Sequence, residues 1–220
     1  MEIKIMEKIL ASNDLAAENL RKEFSQKKIF AVNIMSSPGS GKTTIIEKTI
    51  ELMKGNCRIA VVEGDIETSI DAEKLNKHEV PVVSINTGPF GGDCHLEAGW
   101  ISQAVGQLNT DEIDLLIIEN IGNLVCPAEF DTGAHKNVAV LSIPEGEDKP
   151  LKYPLIFHKA DVLLINKCDL SEILEFDMDA LRNNINSVNP HLEVIEISAK
   201  TGTGLDAWQV WLNKNCEVLS

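Results

Sequence analysis

Ile29-Phe30-Ala31-Val32-Asn33-Ile34-Met35, then Ser36-Ser37-Pro38-Gly39-Ser40-Gly41-Lys42-Thr43-Thr44, then Ile45-Ile46-Glu47-Lys48: this run decides the fold. It predicts a strand, a phosphate-binding loop and a helix in immediate succession. Small residues let successive backbone N–H groups turn inward around phosphate oxygens, and the helix N-terminus adds partial positive charge. Pro38, Gly39, Ser40, Gly41, Lys42, Thr43 and Thr44 are therefore the first candidate nucleotide-binding residues. Lys42 is placed to reach the outer phosphates, and Thr43 to offer its hydroxyl to Mg²⁺. Ser36 stands where the pattern G-x-x-x-x-G-K-[ST] has its first glycine, so the opening turn must form without free access to positive φ.

Working outward, strand-like runs recur at about 30–37, 58–63, 81–86, 114–119, 138–143, 161–166 and 193–197, most of them separated by helical segments. The alternation predicts an α/β fold, a P-loop NTPase with a mostly parallel central sheet flanked by helices. An amphipathic helix is expected over about 6–24, with Ile9, Leu10, Leu15 and Leu20 as its apolar stripe. A closing helix is expected over about 205–215, packing through Trp208, Trp211 and Leu212. Residues 144–150 read as a solvated acidic loop without chemistry. At 220 residues and 44% hydrophobic content, the chain is expected to be one domain, 1–220.

A net charge of −14 supplies no basic face for phosphates, which argues against nucleic acid and anionic membranes as partners and for proteins. No apolar run approaches the roughly 20 residues needed to span a bilayer, and five scattered cysteines suit a reducing, cytoplasmic compartment.

Ligands of parallel sheets sit at the carboxyl ends of the strands, and the remaining motifs fall there. Asn166-Lys167-Cys168-Asp169 follows an apolar strand. The Asp169 carboxylate can accept from N1–H and the 2-amino group of guanine, donors that adenine lacks, so the expected nucleotide is GTP or GDP. Asn166 and Lys167 are expected to brace the loop and the ring. Ser198, Ala199 and Lys200 match the loop whose backbone amide meets guanine O6. The strand 114–119 ends in Glu119, with Gly122 three residues on. Glu119 is the candidate Mg²⁺ ligand, and the Gly122 amide can sense a γ-phosphate. Asp65, at another strand end, is the candidate for Mg²⁺ coordination or for orienting the attacking water. Lys42, Asp65 and Glu119 thus form the expected catalytic set. Arg21, Arg58 and Arg182 lie beside no motif, so no arginine finger is evident and intrinsic hydrolysis is expected to be slow.

The segments 86–96 and 119–128 carry Cys94, His95 and Cys126. Two thiols and an imidazole suit a borderline or soft divalent ion, tetrahedral Zn²⁺ or planar Ni²⁺. Three ligands leave a tetrahedral shell one short, so water or a thiol from a second protomer must complete it, and a two-fold homodimer follows. Cys57, Cys168 and Cys216 are expected to be a strand residue, the variable position of the guanine loop and a helix residue. His78, His135, His158 and His191 are assigned no role.

The strings SSPGSGKTT, EGDIET, INTG followed by GGDCHLEA, ENIGNLVCPAEFD and NKCDL, in this order, resemble the HypB family of hydrogenase nickel-incorporation GTPases, in the class that also holds the urease accessory protein. The resemblance covers most of the chain. It implies a nickel metallochaperone that dimerises on GTP and works with the small zinc-binding nickel chaperone HypA to load the [NiFe]-hydrogenase large subunit precursor. It also implies that Cys94, His95 and Cys126 hold the metal, Ni²⁺ or Zn²⁺. Some members carry an N-terminal Cys-x-x-Cys or His-rich tract, and this chain has neither. The N-terminal helix is read either as packing on the core or as docking HypA. Other readings on this fold are a small-molecule kinase, which the guanine loop opposes, an accessory GTPase for urease or a cobalamin enzyme, and a metal sensor or storage protein.

Overall fold

The computed structural model describes residues 2–66, 70–88 and 92–218, with side chains from residue 10 onward except at 70 and 71. Glu67 and Thr68 of the EGDIET string, Pro89, Phe90 and Gly91 of the glycine-rich segment, and the Ile9 side chain lie outside the described residues.

Strand β1 (Phe30–Ser36) runs through the middle of a seven-stranded sheet completed by β2 (Ile59–Asp65), β3 (Val82–Asn86), β4 (Leu115–Glu119), β5 (Lys136–Ser142), β6 (Val162–Asn166) and β7 (Glu193–Glu196). The order is β3-β2-β4-β1-β5-β6-β7, and every pairing is parallel. The inner strands are apolar at nearly every position because helices cover both faces of a parallel sheet.

The helices are α1 (Glu2–Gln26), α2 (Lys42–Met53), α3 (Ile70–Asn76), α4 (Ala98–Val105), α5 (Cys126–Glu129), α6 (Lys149–Lys152), α7 (Pro154–Lys159), α8 (Met178–Val188) and α9 (Leu205–Glu217). Side chains alternate across the sheet. Val32, Ile34, Val61 and Ile117 meet Ile46 and Ile50 of α2 and Trp208 of α9. On the opposite face, Ala31, Val62 and Ile118 meet Phe24 of α1 and Ile101 of α4, while Met35, Leu141 and Ile165 meet Phe157, Leu181 and Ile185 of α7 and α8. Burying each large side chain contributes about 1.5–3 kcal/mol. No described helix is long and apolar enough to cross a membrane.

Three expectations are corrected. The inward stripe of α1 is Asn13, Ala17, Leu20 and Phe24, at alternating spacings of four and three, whereas Leu15 is 61% exposed. Five residues separate Leu15 from Leu20, which places them on different faces of a helix with 3.6 residues per turn. The helix is tied to the body by polar bonds as well: Asn13 donates to the Asp131 carbonyl (2.9 Å) and accepts from the Ala98 N–H (3.0 Å), and Arg21 grips both Asp131 carboxylate oxygens. Second, residues 144–150 are not a solvated loop throughout. Pro150 is buried, and Glu145 closes a capping box on Ser142. Third, Cys57 lies in the turn between α2 and β2, its N–H bonded to the Met53 carbonyl, rather than in a strand.

His135, assigned no role from the sequence, links α1 to β1. Its Nδ1 accepts from the Ala31 N–H (3.1 Å), its Nε2 lies 3.0 Å from the Ser25 hydroxyl, and its ring stacks near Phe30. Burial first, then Arg21 and Lys136, hold its pKa below the usual value of 6.5. The unfolded chain therefore binds the extra proton first. Stability is expected to be intact above pH about 6.5 and to fall as the pH drops toward the lowered folded value, by at most about 1.4 kcal/mol per pH unit. Denaturant midpoints between pH 7.5 and 5.5 check this, and His135→Asn is expected to flatten the slope.

Candidate functional site

At the carboxyl end of β1 the chain turns without help from a first glycine. Ser36 finishes the strand fully buried, its hydroxyl donating to the Ser37 carbonyl (2.8 Å) and accepting from the Ser40 hydroxyl and from Lys42 Nζ (3.1 Å). A serine in extended backbone thus gives the loop an internal hydroxyl network that glycine could not supply. The positive φ angles fall later, at Gly39 (76°) and Gly41 (101°). At Gly41 the Cβ of any other residue would also stand 2.5 Å from Asn166 Nδ2. Gly41 caps the start of α2, which brings Lys42, Thr43 and Thr44 onto its first turn.

A cavity of about 370 Å³ opens here, lined by Pro38, Gly39 and Gly41 to Thr44 together with Glu63, Gly64, Asp65, Ile66, Lys74 and the segment 119–122. The Thr43 hydroxyl donates to Glu119 Oε1 at 2.7 Å. Glu119, at the end of β4, is paired in register with Glu63 of β2, both buried, and Glu63 accepts from the Ser84 hydroxyl (2.7 Å). Asp65 follows Glu63 on the same strand, and its carboxylate caps the Ile66 N–H at 2.6 Å. A hydroxyl facing a carboxylate, with two further carboxylates on the adjacent strand, is a hard all-oxygen donor set that fits Mg²⁺.

Asn166 does the joining on the other flank. Its Nδ2 donates to the Ser40 carbonyl (2.8 Å), its Oδ1 accepts from the Ala199 N–H (3.1 Å), and the residue is buried. Lys167, in the left-handed region at φ 61°, donates from Nζ to the Gly39 carbonyl (2.7 Å). These bonds lock the loops carrying Asp169 and Ser198 to Lys200 against the phosphate loop, although those residues do not line the cavity itself.

Beyond Glu119 a buried amide ladder sets the course of the chain. Asn120 donates to Asn33 Oδ1 (3.0 Å), and Asn33 donates to Asn137 Oδ1 (2.9 Å). Gly122 then presses on Pro38, where an added Cβ would come within 3.1–3.2 Å. Four residues later Cys126 opens α5, with its Sγ 2.6 Å from that of Cys94. The other side of this thiol pair is positioned by Thr87, which bonds the Asp93 carbonyl (2.7 Å), and by Leu96, which packs where a Cβ on Gly64 would otherwise stand. The bond with Cys94, then burial, pushes the Cys126 thiol up to about 11.

His95 is not gathered with the thiols. Among the described residues no group of three or more His, Cys, Asp or Glu side chains is arranged to hold a metal. Its ring stacks on Phe130 with centroids 3.6 Å apart, its two buried ring nitrogens make no hydrogen bond, and Nε2 lies 3.6 Å from Glu97. Two adjacent thiols match the donor type of a soft or borderline ion and supply two of the ligands such an ion takes.

Glu145, Asn33, Glu63 and Lys74 escaped the sequence reading. Of these, only Glu63 had a signal, its place in the string Glu63-Gly64-Asp65 at the close of an apolar strand. Glu145 accepts from the Ser37 hydroxyl through Oε2 and from the Ser142 N–H and hydroxyl through Oε1 (2.7 and 2.8 Å). Glu145→Ala leaves those donors unpaired. It is expected to cost about 1–3 kcal/mol of stability and to weaken nucleotide binding several-fold, as thermal denaturation and nucleotide titration will measure.

A phosphate loop joining the central strand of an all-parallel sheet to the next helix, with an acidic strand end facing its threonine, defines the molecule as a P-loop NTPase. Residues 30–196 match the family model described as the CobW/HypB/UreG nucleotide-binding domain. The hydrogenase maturation factor HypB of Azotobacter vinelandii is 46% identical over 212 residues, which cover 96% of this chain and 69% of that protein. The crystal structure of HypB from Helicobacter pylori in complex with nickel superposes with a TM-score of 0.88 at 36% identity, over 94% of this chain and 95% of that one. The structure of the hydrogenase maturation factor HypB from Archaeoglobus fulgidus gives 0.86 at 36% identity, over 96% of this chain and 100% of that one. The chain belongs to the HypB branch of the CobW/HypB/UreG family.

Proposed function

We propose that this chain is a GTP-hydrolysing nickel carrier in the maturation of [NiFe]-hydrogenase, acting in the cytoplasm as one P-loop GTPase domain. The carrying observation is the short path from Glu119, bonded to Thr43, through Gly122, seated on the phosphate loop, to Cys126, paired with Cys94. A change at the γ-phosphate has only a few residues to travel before it moves a metal ligand. The nickel complex of the Helicobacter pylori relative supports nickel as cargo.

In this reading Asp169 selects guanine, Ser198 to Lys200 line the base, and Asn166 and Lys167 hold that loop to the phosphate cradle. Lys42 leaves the Ser36 hydroxyl to meet the outer phosphates. Thr43 and Glu119 would hold Mg²⁺, which would supply neutralisation of phosphate charge, and Asp65 would either join that coordination or orient the attacking water. Hydrolysis is slow because, among the described residues, no arginine lines the cleft. The cargo ion, Ni²⁺ or Zn²⁺, is held by Cys94 and Cys126, with His95 or the thiols of a second copy completing its shell in a GTP-dependent homodimer. HypA and the hydrogenase large subunit precursor are its proposed protein partners.

The test is nickel bound per protomer and oligomeric mass, measured with GDP and then with a non-hydrolysable GTP analogue. A change in stoichiometry, affinity or dimer fraction between the two states is expected. Identical values in both would reduce the metal site to an incidental one.

A further inference from the structure

The helices that begin at the two nucleotide loops converge at their far ends. Helix α2 starts at Lys42, and α9 starts beyond Ser198 to Lys200, behind Gly204. They are clamped midway: Trp208 Nε1 donates to the Thr49 hydroxyl and Gln209 Nε2 to the Leu52 carbonyl, both at 2.9 Å. Just past the end of α2 is Cys57, and in the last turn of α9 is Cys216. Their thiols hydrogen-bond to each other, and both pack on the same apolar cluster beneath the sheet. Both also open onto one cavity of about 510 Å³, bordered by Lys27, Lys28, Arg58 and Asp114. Both cysteines are partly exposed, so a small reagent can reach them.

We propose that Cys57 and Cys216 are an oxidisable dithiol that closes to a disulfide by exchange with a small-molecule disulfide, stapling the far ends of α2 and α9. Two thiols already in contact need little backbone movement to bond; Arg58 favours a thiolate at Cys57, while Asp114 and Glu217, at the same cavity, oppose one at Cys216. The Cys216 thiol is held below its ordinary value, first by its bond with Cys57, while the Cys57 thiol is raised by the same bond and by burial. Cys216 is therefore the attacking sulfur. Its thiolate displaces one thiolate from the small disulfide and leaves a mixed disulfide at Cys216. Cys57 then attacks the Cys216 sulfur and expels the second. One small disulfide is reduced to two thiols, which take up the two protons lost by the cysteines, and one protein disulfide forms. The bond closes a loop spanning most of the chain, the arrangement that most restricts the unfolded state. It is distinct from the Cys94 and Cys126 pair.

The test equilibrates the full chain with stepped ratios of oxidised to reduced glutathione, quenches with an alkylating agent, and maps the peptides by mass spectrometry beside thermal denaturation. The expected result is an intramolecular Cys57–Cys216 peptide that accumulates with oxidation. It is accompanied by a rise in Tm of roughly 5 °C or more, reversed by reductant and lost in Cys216→Ala. Alkylation of both thiols at every ratio would overturn the proposal, as would a glutathione adduct on Cys216 that never resolves, or a linked form that melts no higher than the reduced one. Cys57→Ala is the second variant, and in it glutathione is expected to remain on Cys216.

Discussion

Asp169→Asn is expected to weaken GTP binding by roughly 100-fold or more while improving binding of xanthosine triphosphate. In the proposed base site the carboxylate would accept two hydrogen bonds from guanine, each strengthened by its charge, whereas the amide can accept only one and presents a donor to the other. Xanthine carries an oxygen where guanine carries its 2-amino group, so the new donor finds an acceptor. Because Asn166 and Lys167 hold the loop through their own bonds to Ser40, Ala199 and Gly39, the substitution leaves the phosphate cradle in place. Competition titrations with GTP, ATP and XTP measure the switch. Equal losses for all three nucleotides would mean that the loop had collapsed and would remove Asp169 from base selection.

Cys126→Ala is expected to lower nickel and zinc affinity by about 100-fold or more and leave GTP affinity unchanged. The thiol is one half of the Cys94 pair, and its other neighbour is the Asn123 amide at 3.6 Å, so its loss touches no atom of the phosphate loop. Alanine is also a good helix former at the first position of α5. Equilibrium dialysis with each metal, beside nucleotide titration on the same sample, separates the two effects. Undiminished metal binding would defeat the assignment.

Much of this site was legible because it obeys local rules. The phosphate loop, the acidic end of β4 and the Asn166 to Asp169 turn each follow an apolar strand, so their type and order could be read directly. The seven strands were likewise expected within a few residues of where they lie, as buried parallel strands announce themselves by near-continuous apolar runs. The face of α1 was not legible in the same way. Leu15 and Leu20 are equally apolar, and only packing against α4 and β1 distinguishes the exposed one from the buried one.

By itself, the sequence determined the class of fold and the type and order of the nucleotide loops, because each depends on residue type at short spacing. Tertiary structure alone decided which distant polar groups are partners. Glu145 became the brace of Ser37, Asn166 the tie between two loops, and Cys57 the neighbour of Cys216. Hydrogen bonds between residues a hundred positions apart arise from the register of parallel strands and the helices laid across them, and no local pattern encodes that register.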